Sequence, residues 1–312
     1  MPAEATTRPE LVPLGPGAHD LIHFSLVVAG FALLAHFLRT WHSTGEVSAR
    51  YRPAVLASLA VTGVAFLSYV YLVLEFDQGY DLREGVYQPN AEALNTLVPR
   101  YMDWAVTVPL LMVEFLAVSA VVGAAARRTR FTLVGLAFLM ILTGFIGAAV
   151  QEDGTSRTAL IAWGVVSSAF YAALHVVLIR VLRRSRGAMG AQAYTSYRNA
   201  TILLLSVWGW YPIAYALQVW FGGQWWTVTI QVGFSAADIA AKVGFGALIH
   251  KVAKLRTAEE VEAGSTTHPE EVWISSVRFS EGVQPVLKGV LGPDHHDHHG
   301  GRVDPAGDPG HH

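Results

Sequence analysis

The 312-residue sequence predicts an all-α membrane protein, a bundle of seven transmembrane helices. Apolar residues make up 52% of the chain and charged residues 15%, a balance suited to a chain whose main solvent is lipid. Seven apolar runs can be read along it, each near the roughly 20 residues that span a bilayer as a helix. Arginines gather in alternate loops between the runs, and their placement sets an orientation.

The first run, Leu21 to Leu38, lies too far from the start, and matches the others too well, for a cleaved signal peptide. The second, Pro53 to Leu74, leads into a loop from Phe76 to Asn95. There Gly79, Gly85, Pro89 and Asn90 surround Val86-Tyr87 and suit a short hairpin. The remaining runs are Leu97 to Val122, Phe131 to Val150, Ala159 to Val181, Thr201 to Phe221 and Trp226 to Ile249. Loops after runs one, three and five carry Arg39, Arg50 and Arg52, then Arg127, Arg128 and Arg130, then Arg183, Arg184, Arg186 and Arg198. The other loops hold little beyond Arg83 and Arg157, with the acids Asp77, Asp81, Glu84, Glu152 and Asp153. Positive charges of short loops stay in the cytoplasm, so the N-terminus is expected outside and the C-terminus inside.

Three regions follow: an extracellular segment 1–19, a helical domain 20–256 and a polar cytoplasmic tail 257–312. The tail contains Asp294-His-His-Asp-His-His. Such a tract could bind a transition metal, but nothing rigid is predicted to hold it; solvated disorder is the expectation and no metal site is assigned. Zero cysteines exclude a disulfide framework, a thiolate metal site and a catalytic thiol. A net charge of −2 and the lack of a basic stripe with interleaved aromatics leave no case for nucleic acid. No internal repeat of transporter type is visible.

The chemistry is concentrated in two runs. Lys242 lies inside the seventh, four residues after Asp238, so amine and carboxylate share a helix face. The pair has two readings: an ion pair that closes a bundle, or a lysine held in a dry pocket to form a Schiff base with a carbonyl. In the third run Asp103 and Thr107 are one turn apart, and Arg100 lies a turn to the outside. Glu114 follows Asp103 by eleven residues, about 16 Å along the axis, on nearly the same face. A carboxylate beside a cation stays ionised and can accept a proton. A carboxyl isolated in apolar surroundings keeps its proton and can serve as a reservoir. A site with one amine, two candidate counterions (Asp103 and Asp238) and a balancing guanidinium results.

At these residues the chain resembles the microbial rhodopsins, seven-helix retinal proteins, and in particular the bacterial light-driven proton pumps of xanthorhodopsin-like and proteorhodopsin-like type. The resemblance covers about Leu21 to Lys254. It implies all-trans retinal joined to Lys242 as a protonated Schiff base. It implies Asp103 as counterion and proton acceptor, Asp238 as second counterion, Arg100 as charge gate on the exit side and Glu114 as proton donor. The triplet Asp103, Thr107, Glu114 is the Asp-Thr-Glu pattern of outward proton pumps; chloride pumps lack the first acid and bacterial sodium pumps carry Asn-Asp-Gln. The string Trp104-Ala-Val-Thr-Val-Pro-Leu-Leu-Met-Val-Glu is similar to the actinobacterial branch.

The same resemblance implies a retinal pocket of Trp104, Trp208, Tyr211, Pro212 and Tyr215, with Met140, Thr143, Gly144, Trp163 and Ser167 at the ring end. Aromatic walls suit a flat apolar ligand. Leu111 stands at the colour-tuning position, where an apolar residue implies green absorption. Gly164, beside Trp163, is either a close-packing contact or a side window that admits a hydroxylated or keto carotenoid antenna. One feature departs from many relatives: no histidine occurs from Tyr51 to Asp77, and Tyr69 is expected to offer its hydroxyl to Asp238 or Asp103 instead. His23, His36 and His175 are read as packed or interfacial. The expected function is an outward proton pump, a light-driven transporter and not an enzyme, in the cell (inner) membrane among lipids, and a homo-oligomer, trimer or pentamer. The rival is a photosensory rhodopsin of the same fold that signals through a partner or its tail; a seven-helix transporter or receptor without chromophore leaves Lys242 unexplained.

Overall fold

The computed structural model describes residues 11–93 and 96–264. The His-rich tract at 294–299 lies outside the described residues. Four spans are single helices: α1 (Pro16–His42), α2 (Arg52–Gln78), α3 (Leu97–Ala117) and α5 (Arg157–Ser185), while the fourth is α4 (Gly123–Phe145) continued by a π-helical turn, Ile146–Val150. The sixth span is α6 (Ala191–Trp208) followed by α7 (Trp210–Leu217), and the seventh is α8 (Gln224–Asp238) followed by α9 (Phe245–Glu262). Pro212 accounts for the first break, because it has no N–H to give and its ring crowds the carbonyl of Trp208. A π-helical turn, Ile239–Gly244, joins the halves of the seventh span around Lys242.

Six of the spans are long and apolar enough to cross a membrane by length and composition. The exception, α3, holds Arg100, Asp103 and Glu114 within 21 residues. Outward-facing Phe24, Phe31, Leu67, Phe131 and Val165 are exposed, as the lipid side of a bundle requires. The helices pack in order, α1 on α2, α2 on α3, α3 on α4 and α4 on α5, and the seventh span closes the ring against α1 and α6.

The loop after α2 forms the expected hairpin, β1 (Tyr80–Arg83) antiparallel to β2 (Val86–Pro89), with Arg83 opposite Val86. Its two-residue turn needs positive φ at both positions; Glu84 has φ 51° and Gly85 φ 80°. Leu14 and Tyr87 exchange backbone hydrogen bonds of 2.9 and 2.8 Å, and His19 stacks on Tyr87 with ring centroids 3.7 Å apart. Leu14, just before the first span, and His19 in its first turn are thereby pinned to the hairpin.

Several boundaries differ from the sequence reading. Helix α1 begins at Pro16, before the expected boundary at 19, and α9 continues past 256 to Glu262. Tertiary contacts hold this last stretch: Arg256 Nη1 donates to the Val118 carbonyl at 3.1 Å, and the Ser48 N–H donates to Thr257 Oγ1 at 3.0 Å. Helices α4 and α6 also start early, so Arg127, Arg128, Arg130 and Arg198, read as loop residues, stand inside them.

Candidate functional site

Lys242 sits at the centre of the bundle and is 2% exposed. Its Nζ is in hydrogen-bond contact with Asp103 Oδ2 and lies 3.4 Å from Asp238 Oδ1. The third and seventh spans thus bring Asp103 to Lys242 and Asp238, although Asp103 and Lys242 are 139 positions apart in sequence. The two carboxylates are not equivalent. Asp238 accepts from Tyr211 at 2.7 Å, Tyr69 at 2.9 Å and Trp104 Nε1 at 3.3 Å. Asp103 Oδ1 is buried and has no hydrogen-bond partner among the described residues. Thr107, fully buried, donates to the Asp103 backbone carbonyl at 2.9 Å and leaves the carboxyl alone.

Arg100 lies one layer outward. Its guanidinium donates to Tyr69 Oη at 3.0 Å and to Gln231 Oε1 at 3.1 Å, stacks over the Tyr69 and Phe234 rings, and is 3.6 Å from Asp238 Oδ2. Gln231 is in turn held by Thr96. Tyr69 therefore relays between Arg100 and Asp238, taking the former's proton contact and giving its own to the latter. Gln231 and Phe234 escaped the sequence reading. The signal existed, since Gln231, Asp238 and Lys242 recur at helical spacing along one face.

Beside Lys242 opens a cavity of about 380 Å³, within the range of small-molecule sites. Trp104, Leu111, Met140, Ser167, Trp208, Tyr211, Pro212 and Tyr215 line it as expected, with Lys242 and Asp238 at one end. Tyr101, Val108, Tyr171 and Phe234 line it too and were not anticipated. Apolar walls and a buried primary amine fit a conjugated aldehyde such as retinal in shape and in chemistry.

Three residues placed in the pocket by sequence do not line it. Tyr69, also counted among the chromophore-side residues, stands outside the cavity and gives its hydroxyl to Asp238, one of the two partners expected for it. Gly144 is covered by Tyr101, whose Oη lies 3.1 Å from the position of a Cβ there. Thr143 donates to the Leu139 carbonyl at 2.7 Å on its own helix. Trp163 turns away to give its Nε1–H to Gln151 Oε1 at 3.0 Å. Gly164 does border the cavity, which reaches the lipid-facing surface past exposed Ile161 and Val165. The Tyr215 ring occupies the space the glycine leaves: a Cβ at 164 would lie 2.7 Å from Tyr215 Cε1.

Towards the opposite end of α3, Glu114 is 1% exposed and neither carboxyl oxygen has a hydrogen-bond partner among the described residues. Ser58 of α2 faces it without closing a bond of normal geometry. No cation pairs with it in any ion pair among the described residues. Of the other histidines, His23 Nδ1 meets Asp77 Oδ1 at 2.7 Å at an exposed position, and His175 Nδ1 lies 2.9 Å from the Tyr171 carbonyl.

The comparisons with known proteins point to one family. Bacteriorhodopsin-I of Haloarcula marismortui is 28% identical over 251 residues, which cover 75% of this chain and 90% of the relative. A crystal structure of a thermophilic rhodopsin superposes with a TM-score of 0.74 at 30% identity, covering 80% of this chain and 99% of that one. The structure of xanthorhodopsin, described as a light-driven ion pump with dual chromophore, gives 0.72 at 30% identity, covering 80% and 98%. The sequence profile of the bacteriorhodopsin-like protein family matches residues 20–255. The chain therefore belongs to the bacteriorhodopsin-like family, multi-pass cell-membrane proteins that transport ions rather than act as enzymes and whose membership implies a retinal chromophore.

Proposed function

We propose that the chain is a light-driven pump that moves protons outward, with retinal held on Lys242 Nζ inside the cavity. Held there, retinal would supply a light-driven change of shape beside the Nζ proton. The observation that carries this reading is the inequality of the two carboxylates beside Nζ. Asp238 accepts from three donors besides the lysine, hydrogen bonds that hold its charged form and that protonation would weaken. Asp103 keeps one oxygen free. Asp103 is therefore the acceptor, and Asp238 the fixed negative charge held by its tyrosines and Arg100.

Glu114 lies on the other side of Lys242. Buried without a cation, a carboxyl is stable there only with its proton, which it can give to Nζ and then regain from the cytoplasmic side. A sensor has no need of such a donor. Cells or vesicles that carry the protein with retinal are expected to acidify the outside in light, with the signal abolished by a protonophore. Colour without acidification would favour the sensor. In Glu114→Gln, loss of the Nζ proton to Asp103 should continue at its normal rate while its return slows by roughly 100-fold. Azide, a small diffusible acid, should restore the rate in flash spectroscopy. A return rate unchanged from the parent would make Glu114 a structural carboxyl.

A carotenoid antenna is the finer reading of the lateral opening at Gly164. Its support is the path from the cavity to lipid between α5 and α7, with Tyr215 as the side chain that must yield. Adding a keto or hydroxylated carotenoid to the purified protein should sharpen the vibronic bands and induce circular dichroism. Gly164→Trp should remove that signal while retinal colour, the control for an intact pocket, remains. No spectral change across a panel of such carotenoids would leave Gly164 as the packing partner of Tyr215.

A further inference from the structure

The cytoplasmic half of the bundle holds buried titratable groups that the pump reading does not use. Residues 242, 246, 250 and 254 of the seventh span recur every four positions as Lys242, Gly246, His250 and Lys254, one face of a helix running about 18 Å from the amine towards the cytoplasm. Gly246 is the gap in that stripe, and three side chains from three other helices converge on it. The point where its Cβ would stand lies 2.8 Å from His36 Nε2 of α1, 2.9 Å from Ser58 Oγ of α2 and 3.5 Å from Glu114 Oε1 of α3. All three atoms are buried, and none has a hydrogen-bond partner among the described residues. Three unpaired polar groups around one point in an apolar interior are costly unless they serve as a site for something that bonds to all of them, such as water or a proton in transit.

One turn further along the stripe, His250 Nε2 lies 3.2 Å from Glu46 Oε2, while its buried Nδ1 has no hydrogen-bond partner among the described residues. Lys254 Nζ meets the same Glu46 oxygen at 2.6 Å. His250 stands one helical turn beyond Gly246, the residue against which His36 Nε2 lies. Glu46 belongs to the short link between α1 and α2, on the cytoplasmic side by the arginine rule. An imidazole with one nitrogen towards each neighbour can take a proton on one side and release it on the other.

We propose that His36 carries protons into the pump, refilling Glu114 across the pocket that Gly246 leaves open and being refilled itself from the Glu46–His250–Lys254 cluster. The proposal rests on Glu114 being the donor to Lys242 Nζ. One proton moves per step: imidazolium at His36 and carboxylate at Glu114 become neutral imidazole and carboxylic acid. His36 then regains its proton from the cytoplasmic cluster, which draws on bulk water. Glycine at 246 is required because a methyl group would press on both His36 and Ser58 and fill the space between them and the carboxyl.

The test uses the full retinal-loaded protein in lipid vesicles, with His36→Gln, Gly246→Ala and Glu114→Gln side by side. After a flash, loss of the Nζ proton should keep its parental rate in the first two variants, since Asp103 is untouched. Return of that proton, or the refilling of Glu114 that limits the next cycle, should slow by at least about 10-fold in both, the low side of what a positioned acid–base group contributes. Added imidazole should restore His36→Gln, which a packing defect would not allow. A second readout needs no light: the dark infrared band of the protonated Glu114 carboxyl, identified by its loss in Glu114→Gln, should shift in both other variants. Parental kinetics and an unshifted band in His36→Gln, with Glu114→Gln slow in the same assay, would overturn the relay and leave the pump reading standing. A parental rate in Glu114→Gln would overturn the donor assignment and the relay with it.

Discussion

Lys242→Ala is expected to give a colourless protein, because no other primary amine among the described residues borders the cavity and only an amine with a free electron pair can condense with an aldehyde. The substitution also leaves Asp103 and Asp238 without the cation that lies between them. Breaking a buried pair by removing one partner costs about 3–5 kcal/mol, so a fall in thermal stability should accompany the loss of colour. Lys242→Arg separates the two effects. The guanidinium keeps the positive charge and its donors but never offers a free pair, so part of the stability should return and the colour should not. Absorption spectra with added retinal, followed by borohydride trapping and peptide mapping, read the outcome. Retinal found covalently attached in either variant would refute the assignment of Nζ as the attachment point.

The centre of this site was legible because membrane interiors make polar residues expensive and therefore informative. Arg100, Asp103, Glu114, Asp238 and Lys242 stand out from apolar surroundings in the sequence, and all five are buried where helical periodicity put them. The ring end of the pocket was less readable. Gly144, Thr143 and Trp163 are close in sequence to cavity-lining Met140, Ile141 and Gly164, and no charge marks which side of α4 and α5 faces inward. Helix ends were misplaced for a related reason. The last turns of α9 are polar in sequence, yet Arg256 and Thr257 find partners on the α3–α4 and α1–α2 links, which no local pattern reveals. Gly246 shows the remaining limit. A glycine in a membrane helix reads as close packing, and its meaning here depends on three side chains from three other helices.

Asp103→Asn is expected to shift absorption to the red and to stop transport. The neutral amide removes the negative charge in direct contact with Nζ, and leaves Asp238, 3.4 Å away, as the nearest anion. A positive charge on a conjugated chain spreads further when its counterion retreats, and the gap to the excited state narrows. The same change removes the acceptor. Asp238 is poorly placed to substitute, because Tyr69, Tyr211 and Trp104 already occupy its oxygens and Arg100 stands 3.6 Å away. Outward transport should therefore fall by roughly 100-fold or more, the scale on which a positioned acid–base group acts. The informative comparison is Asp238→Asn. The amide keeps one accepting oxygen, so one of the two tyrosine hydroxyls loses its acceptor, and the hold on Arg100 weakens with the lost charge; this should impair folding or chromophore stability more than Asp103→Asn does, while the molecules that fold keep a free acceptor oxygen on Asp103 and still lose the Nζ proton after a flash. Photocurrent in lipid vesicles and the visible absorption maximum, measured on both variants, decide the matter. Undiminished current in Asp103→Asn would mean that the proton leaves Nζ by another route and that the free oxygen of Asp103 is not its destination.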